Sequence, residues 1–99
     1  MDRMVCGYVS ASGNVISGTG YRVDHVDPGL YTVFFDTAFN TIPSVVVTQV
    51  FNGDINYHGG DTRDNAVVVG ILADRFRVVV GEQNGSHSDR RFTFIAAGS

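Results

Sequence analysis

At 99 residues and a formal charge of −3, the chain has room for one domain with a single core and a high ratio of surface to volume. The acidic balance argues against a nucleic-acid partner, because backbone phosphates demand a dense basic face. No apolar run approaches the length of a bilayer-spanning segment, so membrane insertion is not expected.

Twelve Gly, seven Phe, four Tyr and no Trp, with many Val residues at alternating spacing, predict an all-β sandwich or barrel. No window repeats apolar residues at helical spacing behind a cap. All seven basic residues are Arg. Arg holds carboxylates and stacks on aromatic rings better than Lys, which suits binding or subunit contacts; a GC-rich genome gives the same bias.

In chain order, residues 4–11 read as a first strand, and Ser12-Gly13-Asn14 as a tight turn into residues 15–17. The leading ten residues lack the charged and apolar regions of a signal peptide. Cys6 is the one cysteine, which excludes an internal disulfide and a Cys-based metal site and predicts a buried, inert thiol. Gly18-Thr19-Gly20 allows a bend or bulge before residues 21–26. Asp27-Pro28-Gly29 is a turn in which Pro28 fixes φ and Gly29 supplies the left-handed position.

Residues 30–51, LYTVFFDTAFNTIPSVVVTQVF, organise the rest. Over 30–36 the period of two puts Tyr31, Val33 and Phe35 on one face and Leu30, Thr32 and Phe34 on the other. Val45-Val46-Val47, with Thr48, Val50 and Phe51, forms a second strand of largely β-branched residues. A polar elbow holding Asn40 and Pro43 joins the two. Both faces of both strands are partly apolar, so the second face is expected to lie under another sheet or another subunit.

Residues 52–65 form a long polar loop rich in Gly and Asp. Strands follow at 66–73 and 76–82, a second polar loop at 83–89, and a last strand at 90–97. Gly70, inside the first of these strands, marks a close backbone approach. The layout is six to eight short strands with two loops long enough to carry function. Phe35, Val46, Val69, Ile71, Phe76, Val78, Phe92 and Phe94 are the expected core, each contributing about 1.5–3 kcal/mol on burial, most of which conformational entropy offsets. Association with further copies would add to that margin.

The order YTVFFDTAFNTIPSVVVTQV, polar loop, NAVVVGI, FRVVVG, FTFIAAG resembles the H-type lectin domain over residues 31–98. Phe35, Phe39, Pro43, the Val45 run, Phe76 and Phe94-Ile95-Ala96 occupy its framework positions. Similar modules end bacteriophage tail fibres and related bacterial surface proteins, whose leading strands GYVSASGNVISGTGY resembles. The resemblance implies a single domain, with residues 1–29 as leading strands and 30–98 as a lectin-like core. It also implies a compact antiparallel β-sandwich, a homotrimer, and a place on a virion, a cell-surface appendage or outside the cell. In animal members of the family, N-acetylgalactosamine sits between subunits, held by an aromatic–His pair after the strand matching residues 76–82. Those places fall on Gln83 and Asn84, which can hydrogen-bond a hydroxyl but offer no flat apolar face. The family's Arg near the start of the preceding strand corresponds to Arg63.

Several constellations of side chains have a chemical and a plainer reading. Asp54, His58, Asp61 and Asp64 make an oxygen-rich loop of the kind that holds Ca²⁺, yet no Glu closes an EF-hand pattern, and a solvated loop without metal is expected. Ser86, His87, Ser88 and Asp89 include the parts of a Ser-His-Asp set, too close in sequence to face one another and without a nucleophile elbow. Asn84-Gly85-Ser86 fits a glycosylation pattern, but Asn-Gly favours a turn. His25 is expected to be a hydrogen-bonded strand residue. Arg90-Arg91 could meet an anionic glycan, with Asp89, Asp74 or a neighbouring subunit the more economical partner. Glu82, the one glutamate, has no carboxylate partner of the kind a glycosidase needs.

These readings converge on a non-catalytic, cofactor-free homotrimer that binds a glycan, a surface polysaccharide or another receptor. Arg63, Asp61, Gln83 and Asn84 would hydrogen-bond hydroxyls, and Tyr57 or His58 would stack on the ring. A structural trimerisation tip with no ligand is the alternative, and a polysaccharide hydrolase the third reading.

Overall fold

The computed structural model describes residues 2–99. They form eight strands: β1 (Arg3–Val9), β2 (Val15–Gly18), β3 (Tyr21–Asp27), β4 (Leu30–Phe35), β5 (Ser44–Val50), β6 (Asn65–Ile71), β7 (Arg75–Gly81) and β8 (Arg91–Gly98). They assemble into two four-stranded antiparallel sheets of order β2-β1-β8-β5 and β3-β4-β7-β6. The all-β expectation holds, and each strand lies within two residues of its expected bounds.

Turn chemistry sets the hairpins. Gly13 between β1 and β2, and Gly29 between β3 and β4, both adopt positive φ, +89° and +69°, which glycine reaches without a Cβ penalty. A Cβ on Gly29 would stand 2.6 Å from the Val80 carbonyl oxygen, so this turn also lets β7 approach closely.

The organising stretch is not a hairpin. β4 belongs to one sheet and β5 to the other, and the chain between them crosses from layer to layer. Phe39 anchors that crossing: it is buried and meets Phe35 edge-on at 5.0 Å. Arg3 stacks over its ring at 4.2 Å and donates to the carbonyls of Thr37 and Ala38. Pro43, lacking an amide hydrogen, ends the crossing just before β5.

Inward-facing residues of the two sheets share one core. Tyr31, Val33 and Phe35 are buried, as the period of two predicts, against Phe92, Phe94 and Ala96 from the other layer. Rings cross between the sheets: Tyr21 meets Phe94 at 4.9 Å, Phe76 meets Phe94 at 5.1 Å, and Tyr31 meets Phe92 at 5.2 Å. Such pairs add about 0.5–1.5 kcal/mol each beyond their buried area.

Three expected core residues prove to lie outside. Val46 is 64% exposed and Val69 61%, and Cys6 is exposed rather than buried. Register explains two of them: Cys6 pairs with Ile95, and Ile95 with Val46, and paired residues point to the same side of a sheet. With Val5, Phe94, Ala96, Val45 and Val47 facing the core, their neighbours must face out. Val69 is the extra residue of a bulge between Val68 and Gly70, absent from the ladder with β7.

The two outer faces differ in kind. On the first sheet, the rows Met4–Ala97–Ser44, Cys6–Ile95–Val46 and Tyr8–Thr93–Thr48 run across β1, β8 and β5 without a charge, and the pair Arg91–Val50 ends the face at the loop end. On the second, the rows Arg22–Phe34–Arg75 and Asp24–Thr32–Arg77 run across β3, β4 and β7.

Candidate functional site

The two long loops come together at one end of the fold, where Arg90 clips them. Its guanidinium donates to Gln49 Oε1 at 3.1 Å, lies 3.5 Å from Asp64 Oδ2 and 3.7 Å from Glu82 Oε1, and sits 4.8 Å from the Phe51 ring centre. Only 14% of the Arg90 side chain and 7% of Asp64 meet solvent. Asp64 Oδ2 accepts from the Asp61 amide at 3.0 Å, whereas Oδ1 is buried with no hydrogen-bond partner among the described residues. Gln49 completes the clip by donating to the carbonyls of Asn65 and Gly81, at 2.8 and 2.9 Å, from the opposite sheet. The expected partners of Arg90, Asp89 and Asp74, are engaged elsewhere: Asp74 holds its neighbour Arg75 at 2.8 Å.

Two clefts flank the clip. The first, about 450 Å³, lies among Tyr8, Phe51, Asp54, Ile55 and Tyr57. Phe51 and Tyr57 stack with centres 5.8 Å apart and planes 23° apart, and Ile55 at the loop tip is 96% exposed. The second, about 310 Å³, lies among Arg63, Asn65, Glu82, Gln83 and His87. Phe51 of the first and Glu82 of the second both touch Arg90, which lines neither cleft but backs one wall residue of each.

The structure divides the sequence-predicted residues between these clefts. Arg63 and Gln83 line the second together, and Tyr57 lines the first. Asp61 serves Arg63: its two oxygens accept from Nε at 3.0 Å and Nη2 at 3.1 Å, and this guanidinium holds the Asp61 carboxyl below the usual carboxylate range. Asn84 shapes the second loop by accepting from the Ser86 amide at 2.9 Å, with Gly85 at positive φ, as the turn reading predicts. His58 is exposed and lines neither cleft.

The acidic loop does not converge on a common centre. Asp54 accepts from the Asn56 amide, Asp61 faces Arg63 and Asp64 faces Arg90. Among the described residues, no group of three or more His, Cys, Asp or Glu side chains is placed to hold a metal ion.

Asp89 turns away from His87 and joins β3 and β4. Its Oδ1 accepts from the Gly29 amide at 2.7 Å, pairs with His25 Nε2 at 2.8 Å and lies 3.4 Å from the Tyr31 hydroxyl. The His25 ring stacks on Tyr31 at 4.7 Å, and the Tyr31 hydroxyl also donates to the Ala11 carbonyl. Burial raises the Asp89 carboxyl, but the Gly29 amide and His25 outweigh it and hold it below its ordinary value. Burial first, and then the Asp89 charge, push the Tyr31 phenol well above its ordinary value. This is a structural junction in which Asp89 Oδ1 already faces three donors, and it leaves Ser86, His87 and Ser88 without the carboxylate a triad requires.

Sequence reasoning missed Phe51 and Tyr8 as cleft residues, and Arg90 with Gln49 as the clip. An aromatic residue closing a strand just before a polar loop, as Phe51-Asn52-Gly53 does, was the available signal for the first cleft. No family model, curated protein or solved structure matches the chain.

Proposed function

We propose that this protein is a non-catalytic binding module which works as a homotrimer and takes a glycan or surface polysaccharide at its loop end. The observation that carries the reading is the outer face of the first sheet, where Met4, Cys6, Val46, Ile95 and Ala97 stand among neutral residues. A sheet face turned to water ordinarily carries polar side chains in alternation. Over these rows, with Arg91 at the loop-end edge of the face beside Val50, a copy can be met with little like-charge repulsion and little charge to bury. The count of three follows the resemblance to the H-type lectin framework, as does the placement on a tail fibre or other surface appendage.

The clefts supply the second half of the reading. Arg63, held rigid by Asp61, and Gln83 present donors to one side of the loop end, with Asn84 in the adjoining turn. Tyr57, backed by Phe51, presents an aromatic face to the other, and His58 is exposed nearby on the same loop. Each site alone is shallow, so repetition within a trimer would supply avidity from weak contacts. Glycan-array binding by the full chain tests this, alongside Arg63→Ala and Tyr57→Ala. The reading expects binding that one of these substitutions weakens. Failure of glycans and surface polymers to bind at millimolar concentration would overturn it.

The same largely neutral face favours one further reading, a trimerisation tip that closes a fibre and binds nothing. Loop substitutions would then be silent, while charges placed on the face would dissociate the assembly.

A further inference from the structure

We propose that the outer face of the second sheet holds a separate site for the carboxylate of an acidic sugar, seated over Gly70 and gripped by Arg77. This rests on the binding-module reading and adds to it both a location and a ligand class. The bulge that expels Val69 from the ladder leaves Gly70 paired with Arg77. A Cβ built on Gly70 meets nothing within 4 Å, so the interior glycine opens a space instead of admitting a neighbouring strand. The resulting groove, about 400 Å³, is walled by Phe34, Val69 and Leu72 and floored by Thr32 and Arg77.

Charge singles out Arg77 within that groove. Its Nε donates to Thr32 Oγ1 at 3.1 Å, and Thr32 is itself buried, so the guanidinium is anchored at its base. Arg22 and Arg75 on the same face have their own carboxylates, Asp24 at 3.6 Å and Asp74 at 2.8 Å. Among the described residues, no carboxylate pairs with Arg77. The groove therefore presents one uncompensated cation whose planar fork matches a carboxylate.

The walls supply the rest of the recognition. Val69 and Leu72, both more than half exposed, form the apolar surface for the C–H face of a pyranose ring, while Phe34, with Arg22 and Arg75 stacked at 4.1 and 4.9 Å from its ring centre, closes the groove's side. The volume suits one or two sugar rings and is too small for a helix or a protein domain. A single guanidinium suits a monoanion such as a uronic acid better than a multiply charged phosphate.

The test is an amide chemical-shift titration of the full chain with D-glucuronate, with D-glucose as the neutral probe. The expected result is saturable shifts at Thr32, Val69, Gly70 and Arg77 with glucuronate and none there with glucose. Gly70→Val places a side chain in the groove, its Cβ meeting nothing within 4 Å, and leaves the charge in place, and Arg77→Gln removes the charge. Each should weaken glucuronate binding about tenfold or more, with unfolding midpoints close to that of the parent chain. Shifts that fail to saturate, or an affinity that neither variant changes, would overturn the proposal. If glucuronate saturates only the loop clefts and Arg63→Ala abolishes it, the loop-end reading stands and this groove falls. If the groove saturates while the loop end binds nothing, the groove stands and the loop-end reading falls.

Discussion

Replacing Arg90 by Met removes the guanidinium on which both loops close. Asp64 would be left almost wholly buried, with one oxygen already lacking a partner and the other losing its cation. Removing one partner of a buried pair costs about 3–5 kcal/mol. The Arg90–Asp64 separation of 3.5 Å exceeds the 2.7–2.9 Å of a strong charge-assisted bond, which points to the lower half of that range. The hydrogen bond to Gln49 and the contact with Phe51 act through the same group and add less than their separate values. A loss of about 3–4 kcal/mol is therefore expected, a large share of the roughly 5–15 kcal/mol that holds a small domain folded. In urea the midpoint should fall with the slope unchanged, and the melting temperature should drop by roughly 15–25 °C. The double variant Arg90→Met with Asp64→Leu removes the stranded carboxylate and should recover most of the loss. A single-variant cost below about 1 kcal/mol, or a double variant no more stable than the single, would refute the view that this clip holds the loop end together.

Phe35→Ala empties a site walled by Phe39 and Phe76 and should cost about 3–5 kcal/mol by urea unfolding. Gly29→Ala forces a side chain into positive φ and against the Val80 carbonyl, so a loss of more than about 1 kcal/mol is expected in the same assay. The Asp89 carboxyl titrates lower in the folded chain than in the unfolded one. Its contribution is present above the ordinary carboxylate value of about 4 and is lost as pH falls through the lower folded value. Unfolding midpoints measured down through acid pH should accordingly fall less steeply for Asp89→Asn than for the parent chain.

The period of two was decisive where one face of a strand was aromatic. Tyr31, Val33 and Phe35 could be assigned to the core from spacing alone, and they are buried. It failed where both faces were apolar: in Val45-Val46-Val47 and Val67-Val68-Val69 nothing local says which valine looks inward. The register with β8 decides the first and a bulge in β6 displaces the second. Cys6 was misplaced for the same reason, since Met4 and Val5 are equally apolar. At the site, contacts across the chain were invisible. Gln49 and Arg90 are 41 residues apart, and His25 and Asp89 are 64 apart. The loops were recognisable as functional ground from composition. That Tyr57 and Arg63 open onto different clefts depends on how Arg90 folds those loops, which local pattern does not encode.

Self-association through the largely neutral outer face of β1, β8 and β5 is the claim on which the functional reading stands. Sedimentation equilibrium at micromolar concentration measures it directly, on the parent chain and on Val46→Glu. The account predicts a mass near three times the 10.7 kDa of one chain and, for the variant, a folded single chain. A parent protein that sediments as one folded chain, or a variant whose mass matches the parent's, would contradict it.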